Sequence, residues 1–315
     1  MEGLKNIRIL VTGGCGFVGS HLVEELVKKS ASVVVPYRSI DPLSYFTTKK
    51  LNKKTVLVYA DISDFRRIFD IVTKYEIEYI FHLAAQSIVT TAYDNPLETL
   101  FSNSMGTANI LEAGRLYGKM KGIIVASSDK AYGKKDKPYK ETDALRGDHP
   151  YEVSKSGADL IAQTYIKTYG MPIVITRFGN IYGEGDLNFN RIIPEIMNSL
   201  HTKTKLEVRS NGLYIREYTY VKDVVSAYLY LLSSIDNVKG EAFNISSGIS
   251  MSVLELIKTI GKITHKKIGY TILNNAKNEI ITQRLDCSKI RKLGWKPRYS
   301  FHDGIVRTYK WYKLL

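Results

Sequence analysis

Ile7-Arg8-Ile9-Leu10-Val11-Thr12-Gly13-Gly14-Cys15-Gly16-Phe17-Val18-Gly19-Ser20 is the stretch that decides the fold. Its first five residues are apolar or β-branched in the main, a pattern that predicts a short strand buried on both faces. After the glycines, Leu22, Val23, Leu26 and Val27 recur at helical spacing. Gly13, Gly16 and Gly19 form GxxGxxG rather than GxGxxG. The physics is shared: a tight turn, close approach of backbone to a pyrophosphate, and close packing of helix on strand. A helix that starts there offers free N–H groups and a partial positive charge to phosphate. A plain turn would not need strand, glycines and helix in this order, so a dinucleotide site at Gly13, Gly16, Phe17, Val18 and Gly19 is expected.

Outward from this unit, strand and helix alternate through residue 177, as a doubly wound parallel sheet requires. Strands are predicted at Ser32–Val35, Val56–Tyr59, Tyr79–Leu83, Ile123–Ala126 and Ile173–Thr176. Helices are predicted at 65–74, about 96–117 and about 151–169. Beyond Gly179 the alternation breaks into loops, short strands and helices. The expected fold is therefore α/β, a Rossmann-type parallel sheet with a smaller C-terminal α/β region. Residues 1–178 form the dinucleotide-binding domain and 179–315 the substrate region, with some interleaving. The polar segment Lys134-Lys135-Asp136-Lys137-Pro138 reads as a loop over the site.

The strand at 123–126 delivers Ser127-Ser128-Asp129-Lys130 to the carboxyl edge of the sheet, where such folds bind ligands. About 20 residues on, Tyr151 and Lys155 stand four apart, on one helical face. An ammonium there favours ionisation of the phenol, which then takes a proton from a sugar hydroxyl while hydride leaves the same carbon. YxxxK alone is common on amphipathic helices; its place behind a dinucleotide fingerprint gives it weight.

The second strand ends in Pro36-Tyr37-Arg38-Ser39, without the acidic residue that would hydrogen-bond the adenosine ribose of NAD. Arg38 and Ser39 suit a 2′-phosphate, so NADP is expected, with NAD the alternative and Asp41 a candidate ribose ligand.

Composition sets the remaining bounds. The chain has 315 residues, 44% hydrophobic and 24% charged, an ordinary globular balance. No run approaches the length of a membrane-spanning helix, so no membrane partner is expected. Met1-Glu2-Gly3-Leu4-Lys5 leads straight into the first strand, which leaves no room for a signal peptide and makes a cytoplasmic location the expectation. Two cysteines, Cys15 and Cys287, make neither a disulfide framework nor a metal site. The net charge of +14 is spread over short groups such as Lys49-Lys50 and Lys53-Lys54. Solvated lysines account for it better than a nucleic-acid surface, with some attraction for a nucleotide diphosphate.

Over essentially its whole length the chain resembles the nucleotide-sugar epimerase/dehydratase family of extended short-chain dehydrogenases/reductases. The landmarks run in family order: the glycine motif, Asp61-Ile62, His82-Leu83-Ala84-Ala85, Asn103 through Ala113, Ser127 to Gly133, Tyr151 with Lys155, Arg177 to Gly183, Arg216 to Val224, and Leu293-Gly294-Trp295. The resemblance implies cofactor contacts at Asp61, Ile62, Leu83, Ala84, Ala85 and Asn103. It implies substrate contacts at Gln86, Ser87, Asn180, Arg191, Arg216 and Arg284, with arginine forks on the diphosphate. Ser128 corresponds to the hydroxyl on sugar O4, Tyr151 to the acid/base there, and Lys155 to the group that holds the nicotinamide ribose.

Ser128-Asp129-Lys130 is most similar to cytidine-diphosphate-glucose 4,6-dehydratases, although the glycine loop and second strand read differently from theirs. The implied reaction oxidises C4, eliminates water across C5–C6 and returns hydride to C6, giving a 4-keto-6-deoxy sugar. Asp129 is then the acid on the departing hydroxyl, and Lys130 the base or enolate-stabilising cation. A bare salt bridge at a strand end is the competing account of that pair. The runners-up are a 4-epimerase or a dehydratase of another nucleotide sugar, and then a non-catalytic dinucleotide-binding protein. The family resemblance also implies a homodimer through a four-helix bundle made by the helices near 96–117 and 151–169.

Overall fold

The computed structural model describes residues 3–135, 137–275 and 280–314. Twelve strands are described: β1 (Arg8–Thr12), β2 (Ser32–Tyr37), β3 (Val56–Tyr59), β4 (Tyr79–His82), β5 (Gly122–Ser128), β6 (Ile173–Phe178), β7 (Asn180–Tyr182), β8 (Leu206–Val208), β9 (Ile215–Tyr220), β10 (Ala242–Ile245), β11 (Ser250–Ser252) and β12 (Tyr270–Ile272). Seven of them form one sheet in the order β10-β6-β5-β4-β1-β2-β3, and every pairing in it is parallel. The order steps outward from β1 on both sides, the reversal that opens a crevice at the carboxyl ends of the strands.

Side chains alternate faces along a strand, and β1 shows what this does. Ile9 and Val11 enter one apolar cluster with helices Phe17–Lys28 and Val221–Ser233. Leu10 enters the other, with helices Phe65–Lys74 and Gly106–Tyr117. Both faces of the sheet are thus covered, which is why these strands read as continuous apolar runs.

The sheet's seventh strand, β10, comes from beyond residue 178, as does the helix at 221–233. The two regions interleave along the chain: β7, β8 and β9 precede β10, the strand that completes the large sheet. A three-stranded sheet β11-β9-β7 and a pair β12-β8 make the smaller region. The expected continuous helix over 96–117 is interrupted, with Pro96–Leu100, a wider π turn at Phe101–Met105, and Gly106–Tyr117 in succession. Leu97, Phe101, Met105, Val153 and Leu160 are exposed apolar residues on this segment and on helix Pro150–Tyr169.

Candidate active site

The glycine loop is built by sterics. Gly13 has φ +70°, and a Cβ there would lie 2.7 Å from the Ala84 nitrogen. A Cβ on Gly19 would lie 2.1 Å from the Gly13 oxygen, so helix and turn touch backbone to backbone. The helix begins after Gly16, and no side chain caps it, which leaves its first N–H groups for an anion. His82 ties the strand ends together. It bonds Thr12 Oγ1 at 2.7 Å and Thr107 Oγ1 at 3.0 Å, and burial holds it neutral, with its pKa down to about 3.

Three adjoining cavities open along this edge, of about 520, 300 and 560 Å³. The first is walled by Gly13, Gly16, Phe17, Val18 and Gly19, by Arg38 and Ser39, and by Ile62, Leu83, Ala84 and Ala85. Glycine turn, uncapped helix end and elongated apolar cleft together fit a dinucleotide. The second holds Ser128, Asp129, Lys130, Tyr151 and Lys155 with Ser87 and Asn180. The third holds Lys130, Asn180, Arg209 and Arg216. Arg191 borders all three, held at 3.2 Å by buried Asp186.

Within the second cavity, β5 ends at Ser128 and a single 3₁₀ turn, Asp129–Tyr132, begins. Ser128 Oγ donates to Asp129 Oδ1 at 3.2 Å and accepts from the Lys130 N–H at 3.2 Å. Asp129 is 5% exposed, and burial raises its pKa against the opposing charge of Lys130, 3.9 Å away. Lys155 Nζ donates to the Ala126 carbonyl at 3.2 Å, and burial lowers it to about 8. The phenol of Tyr151 does not show the expected acidification. Burial raises it, and the cation that opposes this most is Arg191.

Several expected contacts fall elsewhere. Asp61 lies outside the lining of the first cavity and pairs with Arg38 at 3.1 Å. Asn103 and Gln86 bind each other: Gln86 N–H donates to Asn103 Oδ1 at 2.7 Å, and the Gln86 amide turns back onto Ile88 and Thr99. Both side chains therefore shape the loop after β4 instead of lining a cavity. Arg284 is exposed, and its neighbour Gln283 takes the cavity wall. Lys134, Lys135, Lys137 and Pro138 line none of the three cavities, and Asp136 is outside the described residues.

Sequence reasoning missed Arg209, Glu152, Tyr218 and Gln283 in the third cavity, and Glu217 behind it. Tyr218 had a usable signal, since it stands two residues from Arg216 on one strand face. Glu217 points to the other face. A Cβ on Gly179 would lie 3.6 Å from both Glu217 Cβ and Asp129 Oδ2, so this glycine separates two buried acids.

Burial pushes the Glu217 carboxyl from 4.5 up to about 7. Below pH 4.5 it is protonated whether folded or not. Between pH 4.5 and about 7 the unfolded chain releases the proton first, so stability falls as pH rises. The full cost, roughly 3 kcal/mol, is present above that window. Urea unfolding of Glu217→Gln beside the wild type should show the variant gaining relative stability across this window; a gap constant with pH contradicts the assignment.

A family model described as GDP-mannose 4,6 dehydratase matches residues 10–308. CDP-glucose 4,6-dehydratase of Salmonella typhimurium is 30% identical over 97% of this chain and 90% of its own length. UDP-glucuronic acid 4-epimerase from Bacillus cereus, solved with UDP-glucuronic acid and NAD, superposes with a TM-score of 0.89 at 27% identity, covering 98% of this chain and 99% of that one. dTDP-glucose 4,6-dehydratase from Streptomyces venezuelae, solved with NAD, gives a TM-score of 0.88 at 27% identity, covering 98% and 97%. With the parallel sheet, the glycine turn and the Tyr151–Lys155 helix, these similarities place the chain in the GDP-mannose 4,6 dehydratase family, among nucleotide-sugar dehydratases and epimerases of the extended short-chain dehydrogenase/reductase type.

Proposed function

We propose that the chain is a nucleotide-sugar 4,6-dehydratase, converting an NDP-hexose to an NDP-4-keto-6-deoxyhexose. The observation that carries this reading is the Asp129 carboxyl, buried in the wall of the reaction cavity and bonded to Ser128, with Lys130 beside it. A 4-epimerase has no leaving hydroxide to protonate and so no need of a carboxyl at this place.

Tyr151 exchanges the proton of the sugar O4, and Ser128, in the same cavity, holds the same oxygen. Arg191 offsets part of the burial that opposes ionisation of the phenol. A nicotinamide dinucleotide held by the glycine turn and by Lys155 supplies the hydride chemistry, from C4 and later to C6. Once C4 is a ketone, the C5 proton is acidic, and elimination needs a base there and an acid at the C6 oxygen. Asp129, its pKa raised by burial, hands its proton to the departing hydroxyl. Lys130 takes the C5 proton or stabilises the enolate as a cation.

For the cofactor we propose NAD. The two superposed neighbours were solved with NAD, and nothing favours the NADP expected from Arg38 and Ser39. Arg38 is paired with Asp61 at 3.1 Å and Glu98 at 3.5 Å, two carboxylates that would repel a 2′-phosphate. Titrating the protein with both cofactors should show tighter binding of NAD; tighter NADP binding overturns this choice.

A panel of nucleotide hexoses followed by mass spectrometry should show loss of water from one of them. Tyr151→Phe should slow that conversion by about 10²–10⁴-fold, the usual worth of general acid–base catalysis. Asp129→Asn should suppress water loss while leaving cofactor binding intact. An isomer of unchanged mass from the wild type would make the chain an epimerase.

A further inference from the structure

A buried amide stands beside Lys130, where residues 282–283 run parallel to the start of β9. Gln283 is 2% exposed and lines the substrate cavity. Its backbone N–H donates to the Ile215 carbonyl at 3.2 Å, and Thr282 bridges to Ile215, which fixes Gln283 next to Arg216. Its side-chain oxygen accepts a hydrogen bond from Lys130 Nζ. Chemistry dictates that orientation, because an ammonium only donates; the amide nitrogen must turn the other way. Among the described residues, that nitrogen has no acceptor.

It is not alone. The Tyr218 hydroxyl, on a residue 1% exposed in the same wall, has no partner among the described residues either. The remaining two such buried atoms, Ser127 Oγ and His149 Nδ1, belong to residues lining the reaction and substrate cavities. A buried donor left without an acceptor is costly, and folded chains rarely keep one unless something else supplies the partner.

We propose that Gln283 is a substrate-binding residue: its amide nitrogen donates to an acceptor oxygen of the nucleotide sugar, on the hexose or on the phosphate attached to it, while its oxygen holds Lys130. This rests on the nucleotide-sugar reading and adds a residue to it. Because one rigid amide touches both ligand and ammonium, seating the ligand oxygen and orienting Lys130 become one event.

Calorimetry of the full chain with CDP-glucose, dTDP-glucose and UDP-glucose, and with CDP, dTDP and UDP, tests the assignment. Q283E keeps an oxygen for Lys130 and removes the donor; Q283L removes both without adding charge. Each variant that retains the wild-type melting temperature should bind the preferred nucleotide glucose about 10–100-fold more weakly. If the free diphosphate binds wild type and Q283L alike, the oxygen belongs to the hexose; if it weakens in parallel, to the phosphate. Both support the proposal. Unchanged affinity for the nucleotide glucose in Q283L overturns it. A wild type that binds none of the three sugars sinks the nucleotide-sugar reading instead.

Discussion

Arg177 and Asp159 are both almost fully buried and meet through paired hydrogen bonds of 2.8 and 2.9 Å. Arg177 belongs to β6, and Asp159 to the helix Pro150–Tyr169. Asp159 lies one helical turn beyond Lys155 and two beyond Tyr151, on their face. A fork-to-fork ion pair at that point fixes the helix both along and about its axis. The same guanidinium also reaches the Tyr132 hydroxyl at 2.7 Å, which ties in the turn that carries Asp129 and Lys130. Losing either partner would leave an uncompensated buried charge, so the arrangement is held by necessity as much as by attraction. The tyrosine helix and the acid–amine turn are thus positioned by one buried contact.

On this frame several titratable groups of the site are held in the interior. Asp129 and Glu217 are raised by burial, and Lys155 and His82 are lowered, so the interior favours neutral forms. Lys130, Arg191 and Arg209 line both the second and the third cavity, and Arg216 the third, where Glu152, Glu195 and Glu207 also stand. Cations in both cavities suit the anionic nucleotide of the proposed reaction, and a carboxyl whose pKa is raised by burial suits proton transfer. Part of the net charge of +14 thus lines these cavities.

Features set by local chemistry were legible before the structure. The glycine spacing follows from a positive φ and from contacts that exclude a Cβ, and the parallel strands follow from apolar runs buried on both faces. Ser128, Asp129, Lys130, Tyr151 and Lys155 do meet in one cavity. What was not legible depends on partners far apart in sequence. Arg38 looked like a phosphate receptor because Asp61 gives no sign from 23 residues away that it will pair with it. Gln86 and Asn103 looked like ligand contacts until the loop showed them binding one another. Arg284 was expected at the substrate, yet it is exposed while its neighbour Gln283 is buried, because adjacent residues of an extended segment point to opposite faces.

In the proposed reaction hydride leaves C4 and arrives at C6 of the same sugar while a hydroxide departs between the two events. Turnover of the preferred nucleotide glucose carrying deuterium at C4 reads this directly, by NMR of the product. The label should appear in the C6 methyl group of a 4-keto sugar. Deuterium that stays on C4 of an inverted, unoxidised hexose would contradict it.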